Sequence, residues 1–170
     1  MADTSLSSAQ ENPGLEDPEL ENHKQTEAAY RTALDSAVRY LARREHSRAE
    51  LAQKLRRKGI DRTLIDRVLA YVGEHDLQSD SRFIETYVRS RRERGYGPVR
   101  IRQELGSRGI AESDLEDTLT ESAEFWMDIA RRVLARKFHV PPETREAWNT
   151  QARFLAQRGF PSDLIYRVLD

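Results

Sequence analysis

The feature that most constrains this chain is a repeat at a spacing of fifty residues. The segments KLRRKGI (54–60), ELGSRGI (104–110) and FLAQRGF (154–160) place Leu55, Leu105 and Leu155 in one column and Gly59, Gly109 and Gly159 in another. Further columns follow without an insertion: Ile60, Ile110 and Phe160; Ile65, Leu115 and Ile165; Leu69, Leu119 and Leu169. Such registration implies one supersecondary unit used three times.

The residues of each unit specify helices. A helix ends at the glycine, which can adopt the left-handed conformation at a C-cap, and the next apolar residue packs back on the helix just left. A second helix starts at once, with Pro161 suited to a first helical position and Asp61 and Asp163 suited to the positive end of a helix dipole. Leu64, Ile65, Val68 and Leu69 follow at helical spacing, mirrored by Leu164, Ile165, Val168 and Leu169. A further helix precedes each glycine-terminated one. Its expected apolar stripe is Tyr30, Leu34, Val38 and Leu41 in the first unit, and Phe83, Ile84, Tyr87 and Val88 in the second. In the third unit it is Phe125, Trp126, Ile129, Ala130, Val133 and Leu134.

An all-α fold is therefore expected, with three tandem three-helix modules at 27–75, 76–123 and 124–170. Short connections make such an array an elongated, curved body. The run Gly95-Tyr96-Gly97-Pro98 fits this scheme as an inter-helix turn, because Gly97 lies fifty residues after Ser47. Ser47 begins the capping box Ser-Arg-Ala-Glu, and Gly97 with Pro98 supplies the equivalent helix start.

Charge divides the chain unevenly. Residues 1–30 hold seven acids against one base, whereas the remainder holds twenty-seven bases against twenty-two acids. Residues 1–26 lack apolar periodicity and are expected to be a disordered acidic leader, unable to offset the entropy of ordering. Over the whole chain 34% charged residues against 8% aromatic favour solvated helices with narrow apolar stripes, burying one or two small cores. With no cysteine, disulfides and thiolate metal sites are excluded. The sequence shows neither a signal-peptide pattern nor an apolar run able to span a bilayer, so a cytoplasmic protein without membrane contact is expected.

Catalytic signatures are missing. No GxxxxGK[ST] or GxGxxG motif occurs, and His23, His46, His75 and His139 are scattered without metal-ligand spacing. Carboxylate pairs such as Asp114 with Glu116, or Glu74 with Asp76, lie among charged neighbours where no apolar pocket would raise a pKa. A non-enzyme without a cofactor or metal is expected.

What remains is an arginine-rich surface. Arginine far outnumbers lysine, which favours bidentate contacts with carboxylate or phosphate, although the interleaved acids equally suit local ion pairs. Two uses are open. One is binding to another protein, with Arg56, Arg57, Lys58, Arg89, Arg92, Arg94, Arg100 and Arg102 as contacts and Tyr96 as an aromatic anchor. The other is a DNA-binding three-helix module whose arginines neutralise phosphates. A body charge of about +5 is small for the second, and the aromatics keep core spacing.

Taken together, LARREHSRAELAQKLRRKGI, SDSRFIETYVRSRRERGYGPVRIRQELGSRGI and RFLAQRGF resemble the RecX family, over roughly residues 30–170. One departure is Ser79-Asp80-Ser81 before Arg82-Phe83, where family members often carry two acids; this leaves Asp80 as the candidate N-cap. The resemblance implies a monomeric, non-enzymatic regulator that lies in the groove of the RecA–DNA filament. It further implies depressed RecA ATPase, strand-exchange and co-protease activities, and so effects on recombination, DNA repair and the SOS response. Single- or double-stranded DNA would be a weaker, secondary partner.

Overall fold

A computed structural model of the chain describes residues 18–115 and 118–170. At Gly59, Gly109 and Gly159 the backbone takes φ of 78°, 80° and 85°. The N–H groups of Ile60, Ile110 and Phe160 then donate to the carbonyls of Leu55, Leu105 and Leu155 at 3.3, 3.2 and 3.2 Å. Each glycine N–H donates to the carbonyl three residues back, which completes the Schellman cap expected from the repeat. The same bonding closes two more helices, at Gly95 and at Asp76, whose φ of 53° is within reach of an aspartate.

The described residues form eight α-helices: α1 (Pro18–Leu41), α2 (Arg48–Arg57), α3 (Arg62–Glu74), α4 (Asp80–Glu93), α5 (Pro98–Gly106), α6 (Ala123–Lys137), α7 (Arg145–Gln157) and α8 (Ser162–Leu169). No strand occurs among the described residues. The helices form three tandem units, and α2, α5 and α7 are the middle helix of each. In the second unit the described part of the third element is a 3-10 turn, Glu112–Leu115. Its sequence offers Leu115 and Leu119 where the first unit offers Leu64, Ile65, Val68 and Leu69, too little apolar surface to hold a helix against the cost of nucleation. Thr118 further engages the carbonyl of Asp114 through its hydroxyl at 3.1 Å.

Two cores form among the described residues, within the one or two expected. Ala33, Ala37, Leu51, Leu55, Ile65, Val68, Leu69 and Val72 cluster in the first unit. The second and third units share the other, in which Ile101, Leu105, Leu115, Ala130 and Leu155 are fully buried. Each fully buried leucine contributes about 2 kcal/mol or more relative to exposure.

Four expectations are corrected. Of the proposed leader, 1–17 lie outside the described residues, but 18–26 are helical and extend α1. Glu19 and Glu21 favour its positive end, and Arg67 of α3 tethers it by pairing with Glu27 and lying 4.3 Å from the Tyr30 ring centre. Two residues of the expected apolar stripes lie outside the cores: Val38 is 42% exposed, because α1 turns Ala33 and Ala37 inward, and Phe125 is 38% exposed. Asp80 is the first residue of α4 and Ser79 is the cap, its hydroxyl accepting from the Arg82 N–H. Pro161 is the N-cap of α8, which starts one residue later than expected.

Candidate partner-binding surface

The middle helices meet end to end, and the joint is used twice in the fifty-residue register. Where α5 ends against the start of α2, the Ser47 hydroxyl donates to the Arg108 carbonyl at 2.7 Å while accepting from the Glu50 N–H. Where α7 ends against the start of α5, the N–H groups of Gly97 and Val99 donate to the carbonyls of Arg158 and Gly159 at 2.8 and 3.1 Å. Orphan carbonyls at a helix end thus meet a side-chain hydroxyl at the first joint and orphan backbone N–H groups at the second. Close approach is obligatory: a Cβ at Gly97 would lie 2.3 Å from the Gly159 oxygen, and one at Gly109 would lie 2.4 Å from the Ala49 Cβ.

Polar contacts reinforce the first joint. Asp80 accepts from the Arg48 N–H at 2.7 Å and from Gln78 at 2.9 Å, so its carboxylate serves the neighbouring unit's α2. Gln78 also donates to the His46 carbonyl, and Arg82 pairs with Glu45 at 3.0 Å. Burial and the adjacent Arg44 hold the His46 pKa below its ordinary value.

A second network runs through all three units. Glu50 pairs with Arg108, whose guanidinium lies 4.8 Å from the Tyr87 ring centre. The Tyr87 hydroxyl donates to Glu104 at 2.7 Å, and Glu104 also receives Arg91 at 2.6 Å and Arg100 at 3.0 Å. Arg100 then donates to the Gln157 carbonyl at 3.0 Å. Burial alone would raise the Glu104 pKa, but hydrogen bonds from Tyr87 and Arg100 and the Arg91 charge outweigh it and hold the carboxyl below its ordinary value. Burial, then the bond to Glu104, pushes the Tyr87 hydroxyl up.

These networks sort the nine candidate contact residues. Tyr96 lies half-buried between units, with the guanidinium carbons of Arg100, Arg91 and Arg158 at 4.6, 5.4 and 5.5 Å from its ring centre. Arg92 is half-buried, pairs with Glu121 and donates to the Thr118 carbonyl, fastening the segment after the 3-10 turn. Arg100 is in the inter-unit network, Arg102 pairs with Glu112, and Lys58 donates to Ser36 at 3.1 Å. Arg56, Arg57, Arg89 and Arg94 are exposed and form no ion pair with a described carboxylate. Only these four of the nine present an uncommitted cation.

No motif marks Glu104, Arg108 and Arg158 as residues that join units. The available signal was their register, since Arg108 and Arg158 share a repeat column next to the glycines. Among the described residues no group of three or more His, Asp or Glu could hold a metal, and no helix is long and apolar enough to cross a membrane. The arrangement leaves solvated positive charge at Arg56, Arg57, Arg89 and Arg94.

Comparison with known proteins agrees with the architecture. Three family models match in order: RecX, first three-helix domain, at residues 33–71; the second at 79–119; and the third at 124–169. The protein named Regulatory protein RecX from Halorhodospira halophila is 47% identical over 140 residues, which is 81% of this chain and 86% of that one. Its namesake from Pseudomonas putida GB-1 is 46% identical over 143 residues, covering 84% and 89%. Two solved structures share the fold. The crystal structure of RecX from Lactobacillus salivarius has a TM-score of 0.71 at 24% identity, covering 83% of this chain and 94% of that one. A crystal structure of regulatory protein RecX has a TM-score of 0.76 at 22% identity, covering 91% and 78%.

Proposed function

This chain belongs to the RecX family, and from that membership we propose that it is a non-enzymatic cytoplasmic regulator that binds the RecA–DNA filament and depresses RecA activity. The observation that carries the reading to particular residues is the set of four exposed arginines with no ion pair to a described carboxylate, Arg56, Arg57, Arg89 and Arg94, in the first and second units. Each is a modest contact by itself, since solvated charges are screened. Borne on one array of stacked units, they engage successive carboxylates of a repeating partner together, and effective concentration multiplies their affinity.

Arg102 joins this set by exchanging its exposed partner Glu112 for an external one, and Lys58 by leaving the buried Ser36 hydroxyl. Arg92, Arg100 and Tyr96 act differently in this reading: they hold the units at the angle that presents the others. Inhibition of RecA's ATPase, strand exchange and co-protease functions follows if the bound array obstructs addition or rearrangement of RecA protomers.

The test is RecA's single-strand-DNA-dependent ATP hydrolysis with this protein titrated below RecA stoichiometry. Loss of hydrolysis at concentrations too low to coat the DNA supports the filament reading. Inhibition that appears only when the protein saturates naked DNA supports direct phosphate binding instead, and that binding should weaken steeply with salt.

A further inference from the structure

The two joints share a register but not a chemistry. Across the second, apolar packing is continuous: Phe83, Ile101 and Leu105 of the second unit lie in one core with Trp126, Ala130 and Leu155 of the third. Val133 of α6 also crowds Gly95 at the end of α4, where a Cβ would strike its side chain. Across the first joint the cores are separate, since Ala33, Leu51, Leu55 and Val68 cluster apart from that body. What closes the first joint is polar. Ser47 and Glu50 hold Arg108, Asp80 takes the Arg48 N–H, and Arg82 pairs with Glu45. Where Ala49 lies against Gly109, there is no second side chain to interlock with it.

The chain crosses the first joint once, and its backbone bonding changes sides at a single peptide link. The N–H of Asp76 donates back to the Gly73 carbonyl at 3.1 Å, and those of Leu77 and Gln78 to the Val72 carbonyl at 2.8 and 3.0 Å, which fastens 76–78 to α3. Ser79 belongs to the other side. Its hydroxyl accepts from the Arg82 N–H and its carbonyl from the Phe83 N–H, at the start of α4. Hinges are element-terminal positions of this kind, where a change of φ and ψ turns one body and disturbs neither.

We propose that the first unit, α1–α3, pivots as a rigid body on the second and third, α4–α8, about the Gln78–Ser79 link, with the polar contacts as a latch that opens to water. Between bodies joined by a small polar contact relative motion is the default, whereas a large apolar interface suppresses it. The latch loses little on release, because its ion pair and hydrogen bonds are exchanged for bonds to water. Even the Ser47 hydroxyl, fully buried in the closed joint, is a group that water satisfies. Opening the second joint would instead expose buried Leu105, Trp126 and Leu155. Arg56 and Arg57 ride on one body and Arg89 and Arg94 on the other, so the pivot varies the spacing between these two pairs of cations. That use of the pivot rests on the proposed function; the pivot itself does not.

Double electron–electron resonance on the full chain, without RecA or DNA, tests the pivot independently of the RecA reading. The chain has no cysteine of its own, so pairs of introduced cysteines carry the spin labels. Ala70 on α3, Thr86 on α4 and Ala156 on α7 are exposed, and A70C/T86C spans the first joint while T86C/A156C spans the second. The distance distribution should be about twofold or more wider across the first joint than across the second. R82Q, which releases the pair with Glu45, should widen the A70C/T86C distribution further and leave T86C/A156C unchanged. E45Q weakens the same pair from the other side and takes the place of R82Q if that variant loses helicity by circular dichroism. Equal widths at the two joints overturn the pivot. So does a folded latch variant that leaves the first distribution unchanged or widens both.

Discussion

The N–H of Gly97 donates to the carbonyl of Arg158 at 2.8 Å, across the joint between the second and third units. Fifty residues earlier in both partners, the Ser47 hydroxyl donates to the carbonyl of Arg108 at 2.7 Å. The Gly-Tyr-Gly-Pro turn is therefore also a socket, and the cations around it are largely occupied in holding it.

Replacing Gly97 by alanine should disrupt this socket. Its φ of −85° suits any residue, so the cost comes from the clash with Gly159, where backbone faces backbone. We expect G97A to lose about 3 kcal/mol or more, combining overpacking with weakened hydrogen bonds. At Gly59 alanine meets no neighbour, and only the left-handed conformation opposes it, at about 1–2 kcal/mol. Urea denaturation of the two variants checks the order; G59A equal to or worse than G97A would contradict a tightly closed joint.

Much of this fold was legible because the repeat markers are backbone requirements. Glycines at 59, 109 and 159 must take positive φ, and the leucines five residues before Ile60, Ile110 and Phe160 must be buried to close each cap. The face of α1 was less legible, since Ala33 and Ala37 carry a weak hydrophobic signal beside Val38. Helix 18–26 was missed because its stability comes from dipole-favoured acids and a tether to Arg67, neither of which has apolar periodicity. The candidate site was legible only as a pool of arginines. Which of them are uncommitted depends on contacts such as Arg91 with Glu104 and Arg92 with Glu121, and these follow from packing between units.

Core substitutions should report on two cooperative blocks. Leu51→Ala opens a cavity confined to the first unit, and Leu155→Ala opens one in the core that the second and third units share. Each should cost about 2–5 kcal/mol. Native-state hydrogen exchange should show L51A accelerating amides of α1–α3 alone, and L155A accelerating α4–α8 together. Uniform acceleration by L51A would contradict separate cores.

Stability should fall on mild acidification through His46. Its folded pKa lies below the ordinary 6.5, so the unfolded chain binds the proton more readily. Stability is then full above about pH 6.5 and declines as pH falls from there towards the lower folded pKa. H46Q should flatten this slope in chemical denaturation at pH 7.5, 6.5 and 5.5. An unchanged slope would assign it to another group.

The central claim is that uncommitted arginines, as opposed to arginines in general, meet the partner. Its most direct measurement is inhibition of RecA ATP hydrolysis by R56E/R57E/R89E/R94E beside the unaltered chain, with circular dichroism confirming equal helicity. The account predicts that the variant keeps its fold and needs at least tenfold more protein for the same inhibition, about 1.4 kcal/mol of lost binding spread over four solvated charges. Undiminished inhibition by the folded variant would contradict it.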